Sequence, residues 1–114
     1  MKESLKVLQE CAELQTRKSQ DYQNENSRIQ QADYYPRGIA SILDIINAKT
    51  LRMWSVLEAM ESDPDYEPNF ESLEDSGKDL INYASFLVAY LRGGIPGQDA
   101  IDKDLLNRKS NVNN

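Results

Sequence analysis

The stretch NFESLEDSGKDLINYASFLVAYLRGG, Asn69 to Gly94, decides the fold. Phe70, Leu73, Gly77, Leu80, Ala84, Leu87 and Leu91 recur at alternating steps of three and four, the period of one helix face. Asn69 stands where an N-cap is wanted, and Glu71 complements the dipole in the first turn. Gly93 and Gly94, ahead of Pro96, end the helix. A second pattern runs through the same residues. Glu71, Asp75 and Asp79 recur every four residues with Asn82 after them, so one stripe holds three carboxylates and an amide. Like charges at this spacing cost a helix a few tenths of a kcal/mol per pair, which a divalent cation, a basic partner or water must offset.

On a helical wheel the acidic stripe lies opposite Leu73, Leu80 and Leu87, as an ordinary solvated face would. The stripe runs on, however, into Phe86, with Tyr83 and Tyr90 along its edge. An exposed face seldom turns aromatic, so the helix is expected to be covered on both sides, with the acids lining an internal or subunit-interface cleft.

Two helices precede it. The first is predicted from Glu3 to Tyr22, where Val7, Cys11, Leu14, Lys18 and Asp21 share a stripe widened by Leu5, Leu8 and Ala12. The second is predicted from near Gly38 to about Glu61, with Ile42, Ile46, Lys49, Met53, Val56 and Met60 on one face, flanked by Ile39, Ile45 and Leu57. Lys49 thus falls in the middle of an apolar stripe. A charge there costs several kcal/mol unless paired, so Lys18, Asp21 and Lys49 are expected to meet carboxylates of the third helix or phosphates of a ligand. Arg52 is read as a surface or phosphate-facing group, and Met53 and Trp54 as core. Glu10 and Glu13 lie off the stripe, either on a solvated face or as a second pair of metal ligands.

Residues 23 to 37 are rich in Gln and Asn, have no consistent period and include Pro36, which predicts a long loop over the surface or over a site. Tyr34 and Tyr35 within it either anchor the loop or stack on a base. Residues 97 to 114 are expected to add a short helix around Asp99 to Leu106 and then fray. The expected architecture is therefore all-α, a bundle of three long helices plus a short C-terminal one, organised as a helical domain over 1–95 and a tail over 96–114. Because Tyr83, Phe86 and Tyr90 need more covering surface than three helices offer, oligomerisation is expected to complete it.

The 114 residues carry 19 acids against 13 bases, a net charge of −6. That balance argues against a nucleic-acid-binding surface, which needs a basic face, but leaves open a nucleotide whose charge a metal ion bridges. Cys11 is the sole cysteine and there is no histidine, which excludes intrachain disulfides, Cys/His zinc sites and His-based catalysis. No apolar run approaches a membrane span, and MKESLKVLQEC lacks the apolar segment of a signal peptide, so a cytoplasmic location without membrane attachment is expected.

The segments KSQDY (Lys18 to Tyr22), ILDIINAKTLRM (Ile42 to Met53) and NFESLEDSGKDLINYASF (Asn69 to Phe86) resemble a phage and bacterial family of small all-α proteins, the nucleotide-modification-associated domains. That family is similar to the MazG-like nucleotide pyrophosphohydrolases, and the likeness covers roughly residues 5 to 95. The resemblance implies a helical bundle assembled as a homodimer or homotetramer. It implies Mg²⁺ or Mn²⁺ held by helix-borne acids, and cleavage of a nucleoside triphosphate at the α-phosphorus to monophosphate and pyrophosphate. Carried onto this chain, Glu71, Asp75 and Asp79 would hold the metal, and Lys49 and Asp79 would act in catalysis. Lys18, Asp21, Tyr22, Lys49, Arg52, Asn82 and Tyr83 would contact the nucleotide. Two positions depart from the MazG pattern. A glutamate three residues before the closing Asp is Ser76 here, and the paired glutamates of an earlier helix are represented by Glu10 and Glu13. The alternative expectation is a phage-type protein that binds or sequesters a nucleotide without turnover, as an anti-defence factor or a regulator of nucleotide modification.

Overall fold

A computed structural model describes residues 2–22, 27–67 and 70–98, and for 20–22, 70 and 71 the backbone alone. The described residues form three long helices and no strand: α1 (Glu3–Tyr22), α2 (Ile39–Ser62) and α3 (Phe70–Leu91), with a single 3-10 turn at Gln31–Tyr34 between α1 and α2. The all-α expectation holds, and the helix limits follow the periodicity and its breakers. The short helix expected around Asp99 to Leu106 lies outside the described residues.

Local chemistry sets the helix ends. At the end of α3 the Gly94 N–H donates to Ala89 O (2.9 Å) and the Gly93 N–H to Tyr90 O (3.0 Å), with Gly93 at φ 73°. This paired closure needs a left-handed residue, which glycine supplies without a Cβ clash. Gly38 starts α2 in the same way, at φ 62°, and its carbonyl accepts from Ser41 and Ile42.

α3 is the central element, packed along α2 on one side and α1 on the other. The apolar core lies at one end of the molecule, where Ile42 of α2, Tyr90 of α3, Ala32 and Tyr35 of the connecting segment, and Ile95 beyond α3 meet. Ile42 is fully buried, and the Tyr35 and Tyr90 rings meet edge to face at 6.4 Å. Tyr35 therefore anchors the segment that precedes α2, one of the two roles open to it from sequence. The 3-10 turn was not foreseen. It forms because the Gln30 N–H donates to the Asp33 carboxylate (2.8 Å), and the Ala32 N–H crosses to Pro96 O (2.9 Å), stitching the segment to the chain beyond α3.

Three expectations about packing need correction. The single apolar face drawn for α3 is only half-buried at Leu73, Gly77, Leu80 and Leu87, and Ala84 and Leu91 are exposed. The buried residues are Ser76, Asn82 and Tyr90. A helix pressed between two partners buries its flanks, which a one-face reading misses. Trp54, expected in the core, is 57% exposed, because α2 leans on α3 with one side and turns Leu43, Leu51 and Trp54 outward on another. Finally, of the three aromatics expected to need a partner surface, Tyr90 is buried within the chain against Tyr35, while Tyr83 and Phe86, edge to face at 5.5 Å, stay half-buried.

Candidate functional site

α1 covers the part of α3 that holds Lys78, Asp79 and Asn82. Along the seam the Cys11 thiol approaches Lys78 O at 3.8 Å, and the Gln15 amide donates to Asn82 Oδ1 and to Ser85 Oγ, each at 2.8 Å. Burial pushes the Cys11 thiol up from its ordinary value. The Lys78 ammonium lies 3.1 Å from Glu10 and 3.3 Å from Glu74, tying α1 to α3, and its hydrogen bond to Glu10 raises its pKa. Glu10 is thereby engaged by a lysine. Glu13, its neighbour in the pair of acids read from sequence, is exposed.

At the next residue of α3, Asp79 is shared between two cations. The Lys49 ammonium of α2 donates to Oδ2 at 3.1 Å, and the Lys18 ammonium of α1 stands 4.0 Å from Oδ1. The three residues come from three helices and converge on one carboxylate. Asp79 and Lys49 are about a quarter to a third exposed, and Lys18 is 55% exposed. The pairing expected of a lysine on an apolar stripe is thus present at both positions.

Asp79 opens onto a cavity of about 580 Å³ bounded by the second half of α1, the segment 27–35, Ile45 of α2, residues 79–86 of α3 and Pro96. Its charged lining residues are Lys18 and Asp79, and its aromatic and apolar ones include Tyr34, Tyr35, Tyr83 and Phe86 alongside Ile29 and Ile45. Amides and hydroxyls make up most of the rest: Gln15, Ser19, Ser27, Gln30, Gln31 and Asn82. Asn82 is buried, and since its carbonyl already accepts from Gln15, what it can offer a ligand is N–H.

The structure sorts the sequence-predicted residues into two groups. Lys18, Lys49, Asp79, Asn82 and Tyr83 come together at or behind the cavity wall. Asp75 is exposed one turn before Asp79, and Arg52 is exposed on α2 outside the cavity lining. The side chains of Asp21, Tyr22 and Glu71 lie outside the described residues. Sequence reasoning did not find Gln15, Gln31 or Ile45. Gln15 had a signal, since it lies one turn after Cys11 and three residues before Lys18 on the same stripe, but an uncharged amide there draws no notice.

Among the described residues no group of three or more His, Cys, Asp or Glu side chains is arranged to hold a metal ion. Magnesium takes one or two carboxylates and completes its shell with water and ligand phosphates, and the cavity carboxylate here, Asp79, is already paired with Lys18 and Lys49. Asp79 faces the cavity and Asp75 stands one turn before it on the same helix. No described helix is long and apolar enough to cross a membrane. No family model, curated protein or solved structure matches the chain.

Proposed function

We propose that the cavity binds a nucleotide, with its phosphates at Lys18, Lys49 and Asp79 and its base among Tyr34, Tyr83 and Phe86. The observation that carries this reading is the make-up of one cavity wall: Lys18 and Asp79, the carboxylate that Lys49 also pairs with, line it together with the rings of Tyr34, Tyr35, Tyr83 and Phe86. Each group of side chains suits half of a nucleotide, since lysines are point-charge binders of phosphate and aromatic faces stack on bases. The volume, about 580 Å³, lies inside the range of about 300–1,000 Å³ usual for small-molecule sites. Gln30, Gln31 and Asn82 would read the edge of the base or the sugar hydroxyls.

The resemblance to MazG-like pyrophosphohydrolases adds a Mg²⁺-dependent cleavage to this reading. Asp79, with Asp75 and Glu71 on the two preceding turns, would hold the ion. When bound, it would polarise the phosphoryl oxygens and lower the pKa of a water molecule. Lys18 and Lys49 would offset phosphate charge as it builds up in the reaction. A second reading, binding without turnover, is favoured by a specific observation: Asp79 is held by two lysines, and Ser76, buried at 6% exposure, fills the place where the MazG group has a glutamate.

The readings part under one experiment. Incubation with a panel of nucleoside triphosphates and Mg²⁺ is expected to release pyrophosphate if the chain hydrolyses, and to raise the melting temperature without product if it only binds. If Mn²⁺ alone raises the melting temperature of the parent but not of Asp75→Asn or Asp79→Asn, those carboxylates share the ion. Equal shifts in all three proteins would assign them no metal role. A panel that neither turns over nor shifts the melt would overturn nucleotide binding itself.

A further inference from the structure

We infer that the Asp79 carboxylate is a stand-in for a ligand phosphate, so that ligand entry at this site is an exchange of one anion for another. The inference rests on the nucleotide reading and specifies how the phosphate end works. Each oxygen of Asp79 faces a different lysine, Lys49 on Oδ2 at 3.1 Å and Lys18 on Oδ1 at 4.0 Å, with one lysine from each flanking helix. Two cations gripping the two edges of one anion is also the arrangement a phosphate group requires. Asp79, about a quarter exposed, and Lys18 both line the cavity, so an incoming anion reaches Lys18 directly and Lys49 by taking the place of the carboxylate that holds it.

Charge arithmetic supports exchange over simple addition. Two lysines and one aspartate leave the cluster at about +1, too little to hold a phosphate dianion beside an aspartate still in place. If Asp79 rotates away, the same lysines present about +2 to the phosphate. The helix that carries Asp79 tolerates that rotation, because what fixes α1 on α3 here is the Gln15 bridge to Asn82 and Ser85 and the Glu10–Lys78 pair, neither of which involves Asp79. The ligand class follows: a phosphate monoester or terminal phosphate small enough for two ammonium groups, bound without a divalent ion. The exchange moves no bond, electron pair or proton; it replaces one set of ion pairs by another.

Calorimetry on the full chain in EDTA, with a panel of ribo- and deoxynucleoside monophosphates and with inorganic phosphate, tests the inference. Asp79→Asn removes the competing anion while keeping side-chain shape, and partly exposed ion pairs are worth up to about 1 kcal/mol each. The variant is therefore expected to bind the preferred monophosphate about three- to tenfold more tightly than the parent. Lys49→Met is expected to lose that binding in either background. Glu74→Gln makes the same charge change on the same helix while touching only Lys78, and is expected to leave affinity unchanged. If it tightens binding as much as Asp79→Asn, the effect is net charge and the inference fails. Binding by the parent that Asp79→Asn weakens, or leaves unchanged, also overturns the exchange, while the nucleotide reading stands. Binding to neither protein, with or without Mg²⁺, overturns both. Matching far-UV spectra and melting curves for the variants exclude misfolding, and Asp79→Ser serves as the second test of the same prediction.

Discussion

Cys11 reports on the seam between α1 and α3 more directly than any charged residue does. Its thiol is 2% exposed and directed at a backbone carbonyl of α3, and burial holds its pKa above the ordinary 9.0. The unfolded chain therefore releases the thiol proton at lower pH than the folded one. Stability from this group is complete below pH 9.0 and is lost as the pH climbs from there through the folded value. Lys78, raised above 10.5 by Glu10, acts with the same sign at higher pH. Urea melts between about pH 8 and about pH 10.5 are expected to show falling stability in the parent and a shallower fall in Cys11→Ala. Identical slopes would place the thiol in water. Reading single residues from sequence succeeded where the residue was out of character. A lysine in an apolar stripe, Lys49, needed an anion, and Asp79 supplies it. Reading failed where nothing looked odd, as with Gln15, whose two hydrogen bonds across the seam depend on α1 packing against α3, which its local sequence does not specify.

At the scale of elements, the helices were legible because period and breakers agree, and the wall of the cavity was not, because its order comes from residues far along the chain. The 3-10 turn is fastened by Pro96 O to Ala32 N, and the segment 95–98 is in turn fastened to α3 by Gln98, whose side chain donates to Tyr90 O at 2.8 Å and accepts from the Ile95 N–H at 2.9 Å. No local pattern around residue 31 encodes those partners. Gly97 is the critical joint. Its φ is 96°, and a Cβ added there would lie 2.8 Å from both the Cβ and Oε1 of Gln30 and 3.2 Å from the Ala32 Cβ; Oε1 can swing aside, but the two Cβ atoms move only with the backbone. Gly97→Ala is thus expected to cost about 1–3 kcal/mol, from the forced dihedral and the clash together, and to loosen the wall before the helices. Hydrogen exchange showing Ala32 protected as in the parent would refute that order of events.

At the scale of the molecule, few apolar side chains among the described residues are fully buried, and α2 turns Leu43, Leu51 and Trp54 to the outside, with Leu5 and Leu8 of α1 and Val88 and Leu91 of α3 also exposed. The sequence pointed to self-association by way of the α3 aromatics. The structure buries Tyr90, leaves Tyr83 and Phe86 half-buried and exposes other residues, because which faces stay open depends on how α1 and α2 divide α3 between them. The chain is expected to associate through α2, so light scattering at micromolar concentration should give a mass above the 13.0 kDa of one copy, and Trp54→Glu should return it to a monomer. A parent already monomeric would show that Trp54 is a solvated surface residue.

The order in which the chain is made adds a constraint. Residue 98 must leave the ribosome before Gln98, Gly97 and Pro96 can fasten the 27–35 segment, whereas α1, α2 and most of α3 have already emerged by then. A nascent chain halted within α3 therefore holds its lysines and its first aromatic residues but lacks the clasp around them, and the shaped cavity arrives with the last few residues of the described fold.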